Sequence, residues 1–298
     1  MNAVLGQIFA VLTAACFATV STVWSYVGKK LGSNTVTHIR LWLALPPMIF
    51  VHFLFTGTLF PVDLPSSSLL LFLISGLFGF AIADLFIFRS LILIGVRETL
   101  VILTLSPIFG ALISWFALSE KLSHFQILGI LITIGGVMWV IYEEGQNRIK
   151  AEKQHNLGIP FALAGGLAQA LANILSKAAL LNNVHPISGT YIRLLAGLSG
   201  LILFALMRKS FVSDIRKMTH IRLTFLLAAA AVIGPIIGVV LSLYALTMAP
   251  VGIVTALVQI SPVLLLPFDH FILKKKITAK VVLGTFVALL GASILFIY

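Results

Sequence analysis

Acidic residues, cysteines and long polar stretches are what this chain has least of. Only 9 of its 298 residues are Asp or Glu, and Cys16 is its one cysteine. A single cysteine excludes an intramolecular disulfide and a cysteine-built metal site. The 7 histidines are scattered, with no metal-ligand spacing, so no bound metal is expected. No glycine-rich phosphate loop is present, which removes nucleotide hydrolysis by this chain and with it a primary pump. No motif asks for a cofactor. The polar run at 143–156 (EEGQNRIKAEKQHN) is too short to form a soluble domain.

What the chain has is apolar sequence. Apolar residues make up 60% of it and charged residues 10%, far from the balance of a soluble protein. A membrane-crossing helix needs about 20 consecutive, mostly apolar residues. Ten segments meet that need: 5–27, 37–56, 68–88, 95–118, 124–142, 157–180, 187–206, 222–247, 251–273 and 279–298. None shows the period of two that a barrel strand requires, so the expected fold is an all-α membrane protein of ten transmembrane helices. No positive charge precedes the first segment and Lys29-Lys30 follow it, so it reads as a helix of the mature protein rather than a cleaved signal.

The net charge of +11 resembles a nucleic-acid footprint, but its distribution says membrane topology. Lys29, Lys30, Arg97, Arg148, Lys150, Lys153, Arg208, Lys209, Arg216, Lys217, Arg222, Lys274, Lys275, Lys276 and Lys280 all fall at odd-to-even connections. The even-to-odd connections carry only Lys121 and Lys177. Positive residues stay inside, which predicts a multi-pass protein of the cytoplasmic membrane with both termini outside. The partners expected are the lipid bilayer and a small-molecule substrate, with no nucleic acid; self-association into a homo-oligomer is left open.

The chain repeats itself. Ile39-Arg40-Leu41 recurs as Ile192-Arg193-Leu194, Ser106-Pro107 as Ser261-Pro262, and Gly129 and Gly136 as Gly284 and Gly291. The halves are expected at 1–142 and 157–298, joined by a linker at 143–156. Five helices per half is an odd number, so the second half should enter the membrane in the opposite sense. Such inverted repeats are the construction of many secondary transporters, with the binding site between the halves.

Glu120-Lys121-Leu122, followed by Gln126, Gly129 and Gly136-Val137, resembles the E-(R/K)-L…Q..G…GV signature of the EamA-like branch of the drug/metabolite transporter superfamily. Ser106-Pro107 and Arg40 fit the same pattern, and the resemblance covers the whole chain as five plus five helices. It implies a secondary transporter of small organic metabolites with a central cavity. The second half departs from the signature: Lys275 stands where an acid is expected.

Polar residues within apolar segments are the candidate pathway, because each is costly in lipid unless it has a partner or water. Arg40, Asp84 and Arg89 should lie near the cytoplasmic end of the first half and form a gate through an Arg40–Asp84 or Asp84–Arg89 pair. Arg193, related to Arg40 by the repeat, should lie near the outer end. Its own half offers no acid between Asp214 and Asp269. Its partners would be backbone carbonyls, Tyr191, Tyr244 or a bound anion. Gln169, Asn173 and Ser176 share one helix face, as do Thr255 and Gln259. Trp24 is a candidate for the cavity wall. Pro107 and Pro262 each free a carbonyl one turn back and are candidate hinges.

These features favour an exporter of amino acids or related small polar metabolites working by alternating access. Uptake or exchange of a larger anionic or nucleotide-like metabolite is the second reading. A lipid-modifying membrane enzyme is the third; His38, Asp84 and Glu98 come nearest to a catalytic cluster, and the duplication argues against it.

Overall fold

A computed structural model describes residues 2–61, 64–144, 155–264, 266 and 278–297. Every regular element among them is helical. The elements are α1 (Asn2–Leu31), α2 (Ser33–Thr56), α3 (Ser66–Gly76), α4 (Asp84–Leu93), α5 (Gly95–Leu103), α6 (Ser106–Leu118), α7 (His124–Glu144), α8 (His155–Leu180), α9 (Pro186–Met207), α10 (Phe211–Arg216), α11 (Ile221–Ala231), α12 (Val239–Met248), α13 (Val251–Val258) and α14 (Ala279–Ile297). Nine helices among the described residues are long and apolar enough to cross a membrane. The segment expected at 251–273 is seen as a shorter apolar helix, Val251–Leu264, and most of its remainder lies outside the described residues. The linker expected at 143–156 also lies largely outside them.

Two of the long helices change pitch in the middle. A π-helical stretch, Leu77–Ala83, joins α3 to α4, and another, Val232–Gly238, joins α11 to α12. Both are seven residues long, and each begins 155 positions from the other, the offset that relates Ser106-Pro107 to Ser261-Pro262. A π-turn inserts one residue into the helix and rotates everything beyond it, and such turns gather at functional sites.

Packing between the halves is reciprocal. α1 packs against α12 and the second π stretch, while α8 packs against α3, α4 and the first π stretch. α2 packs on α9, α6 on α13, and α7 on α14. The α7–α14 seam shows why its glycines recur. A Cβ on Gly136 would lie 2.3 Å from the backbone N of Ala288, and one on Gly291 would lie 2.3 Å from that of Thr133. Gly129 faces Leu295 and Gly284 faces Val140, so the two helices run antiparallel. Close backbone approach through small residues is how helices associate where lipid removes the hydrophobic driving force.

The serine–proline pairs break their helices as Pro requires. α5 ends at Leu103 and α6 resumes at Ser106. The bond that Pro107 cannot make leaves the Leu103 carbonyl free, and the Gln259 side chain donates to it at 2.6 Å. In the second half the carbonyl freed by Pro262 is that of Val258, and Ser261 Oγ donates to it at 2.6 Å. One break is thus closed across the halves and the other locally.

Candidate functional site

Arg40 sits two turns into α2 and is buried at 5% exposure. Its Nη2 pairs with Oδ2 of Asp84, the first residue after the π stretch. The guanidinium also lies over the Trp24 ring, 4.8 Å from its centre. Trp24 is therefore stacked on Arg40, and it rests against Gly234 of the second π stretch. Arg89, expected to share this gate, is exposed and forms no ion pair among the described residues. Asp84 takes Arg40 instead, since Arg89 lies more than a helical turn further on and points away from the bundle.

Arg193 is placed differently. It is buried at 3% exposure, yet no acid and no hydrogen-bond acceptor meets it among the described residues, and its Nε is unpartnered. Its guanidinium lies 5.4 Å from the centre of the Phe80 ring. Gly79 of the first π stretch packs closely on it: a Cβ there would lie 3.1 Å from Arg193 Nη2 and 3.2 Å from Ala172 Cβ. Tyr244, an expected partner of Arg193, instead meets His185 Nε2 at 3.2 Å. Tyr191 packs against His52 and Phe60.

The amides of α8 are half-buried. Gln169 Nε2 donates to Asn173 Oδ1 at 3.4 Å, a loose bond that leaves both with further capacity. They flank Ala172, the residue that faces Gly79. Ser176, on the same face, accepts or donates to Ser75 Oγ at 2.7 Å. Gln259 is occupied by the Leu103 carbonyl, and Thr255 bonds back to Val251 O at 2.7 Å.

Contacts at the two ends of the bundle went unread in the sequence. At the end with the basic loops, Thr35 donates to Asp214 Oδ1 at 2.7 Å, and Lys217 Nζ donates to Leu31 O and Thr35 Oγ1 at 2.9 Å each. These bonds tie the α1–α2 turn to α10. At the opposite end Lys177 pairs with Glu120 and donates to Ala249 O at 2.6 Å. Glu120 Oε2 accepts from the Val251 N–H at 2.9 Å, which caps α13. The Glu120 of the signature therefore joins the first half to the second. The available clue was that Lys177 and Glu120 lie on the side that is poor in cations.

His185 caps α9 at the same end. Its Nδ1 accepts from the Ile187 N–H, so its Nε2–H is free to donate to Tyr244. Burial pushes the His185 imidazole below its ordinary value, and neighbouring His52 pushes it the same way. The bond accepted by Nδ1 needs the neutral ring. No cluster of side chains able to hold a metal occurs among the described residues.

A family model described as the EamA-like transporter family matches residues 4–142 and again residues 156–297. No curated protein matches the chain. A solved structure titled only as the crystal structure of a protein is similar in fold, with a TM-score of 0.74 over 97% of each chain at 18% identity.

Proposed function

The chain belongs to the EamA-like transporter family, and from that premise we propose that it is a secondary exporter of amino acids or related small polar metabolites. It is a multi-pass membrane transporter. In the reading offered, two inverted five-helix halves rock about a central pathway in the cytoplasmic membrane, with both chain termini outside. The observation that carries it is the double family match, one match to each half. Reciprocal packing between the halves and the antiparallel α7–α14 seam support inversion, because repeat-related helices that meet antiparallel cross the membrane in opposite senses.

Each end of the bundle carries an ion pair that could close it. Arg40–Asp84 lies toward the basic, cytoplasmic end and Glu120–Lys177 at the outer end. Alternating access needs one to open while the other holds. Pro107 and Pro262 place helix breaks midway, where the halves can flex. The pathway would run past Gln169 and Asn173, with Arg193 beside it.

The test is efflux from cells that express the protein and are preloaded with labelled amino acids. Faster loss than from cells expressing an Asn173→Leu variant, at equal membrane abundance, is the expected result. Equal loss for every solute would remove the exporter reading. The unpaired charge of Arg193 favours the second reading, exchange of an anionic solute, to the extent that labelled anions move in its place.

A further inference from the structure

The duplication supplies an internal template for what Arg193 binds. In both halves an arginine two turns into a helix, Arg40 or Arg193, faces a bundle whose neighbouring helix carries a π stretch. In the first half the residue directly after that stretch is Asp84, and its carboxylate neutralises Arg40. In the second half the residue directly after the stretch is Val239, which is buried and apolar. The second arginine is as buried as the first, with its carboxylate removed.

A second replacement changes what covers the guanidinium. Gly234 packs on Val20 and on Trp24, four residues further along α1, and the Trp24 indole covers Arg40. Gly79 packs in the same way on Ala172, and four residues further along α8 stands Ser176. A serine takes the place of the indole. Arg193 is therefore a buried arginine covered by the Phe80 ring, without the acid that pairs with Arg40. A buried guanidinium is costly unless paired, so a charge retained there needs a partner that comes and goes.

We propose that Arg193 is the receptor for a substrate carboxylate, which pairs with the guanidinium as Asp84 pairs with Arg40 in the first half. The substrate class is a small carboxylate, of which amino acids are the main examples. The proposal rests on the transport reading and narrows it. Gly79 is a positioning residue for the guanidinium, because any side chain there crowds both Nη2 and Ala172. Asn173 and Gln169, on the same helix, are placed for the remainder of the solute.

The experiment titrates purified full-length protein with each of the twenty protein amino acids, with lactate, succinate and malate, and with the α-amides of any acid that binds. Thermal stabilisation is the readout. At least one acid should stabilise the protein, and its amide should bind roughly 10- to 100-fold more weakly, as expected for loss of a charged hydrogen bond. Arg193→Gln should lose binding by a similar factor, and Gly79→Ala should weaken it with the fold retained. Val239→Asp restores the acid found in the first half, so it should abolish carboxylate binding while the protein stays folded. Stabilisation by no acid in the panel, equal binding of acid and amide, or wild-type binding by both Arg193→Gln and Gly79→Ala would overturn the proposal. A stronger response to sn-glycerol 3-phosphate than to every carboxylate would do so too. Transport of neutral solutes by wild type and Arg193→Gln alike would leave the transport reading standing and remove only this site.

Discussion

Replacing Arg40 with Met tests whether the inner pair behaves as a buried ion pair. The side chains of Arg40 and Asp84 are 6% and 16% exposed, so removal of the cation leaves a carboxylate with little water. Breaking a buried pair from one side costs about 3–5 kcal/mol. The partial exposure of Asp84 places this case at the low end, near 3 kcal/mol, because some solvent reaches the stranded charge. Trp24 also loses the guanidinium over its ring, but the Met side chain covers much of the same surface. At about 2 °C per kcal/mol for a chain of this size, the melting temperature in detergent should fall by about 6 °C. The double variant Arg40→Met with Asp84→Leu removes both charges and should recover to within about 2 °C of wild type, since an apolar pair of similar volume is often no worse than the ions. A double-mutant cycle then gives a coupling of about 2–3 kcal/mol. Losses that simply add, with the double variant the least stable of the three, would refute the reasoning.

Three further outcomes follow from other contacts. Gln259→Leu should cost about 1–3 kcal/mol, because it strands the Leu103 carbonyl that Pro107 freed, and a thermal melt reads it directly. Gly136→Ala and Gly291→Ala should each greatly reduce the yield of folded protein on size-exclusion chromatography, since a methyl at either place would lie 2.3 Å from backbone nitrogen; Gly135→Ala, where a Cβ meets open space, should not. His185 is held below its ordinary value, so the folded state binds a proton less readily than the unfolded chain and stability falls as pH drops through about 6.5 and below. Melting temperature measured from pH 8 to 5 should decline less in His185→Asn, whose side chain keeps a capping oxygen without titrating.

The helical class and most helix positions were legible because lipid leaves few alternatives for long apolar runs. The Arg40–Asp84 pair was also legible, since a lone acid amid apolar residues must find a nearby cation. The π stretches were not. LFGFAIA carries no signal for a π-turn, and in VIGPIIG Gly234-Pro235 marks a helix break but not its pitch; Gly79 gains meaning only once the repeat offset is laid over the structure. Gln259 read as a pathway residue, yet its amide is held by the carbonyl that Pro107 frees, a contact between halves that spacing alone does not disclose. Arg89 lies five residues from Asp84 in the sequence, a spacing that suggests a pair, but the residue is exposed. Glu120 stood out as part of a signature, while its pairing with Lys177 depends on how α6, α8 and α13 converge.

Side-specific labelling at Asn173 tests the central claim, alternating access between the halves, most directly. Cys16 is the one cysteine, so Cys16→Ser gives a background in which Asn173→Cys is the only thiol. An impermeant maleimide should react with it when added from either side of the membrane. When cysteines are also placed at Glu120 and Lys177 and cross-linked to hold the outer end shut, reaction should persist from the cytoplasmic side and vanish from outside. Labelling from one side only, unchanged by that cross-link, or no labelling from either side, would contradict a pathway that opens alternately past α8.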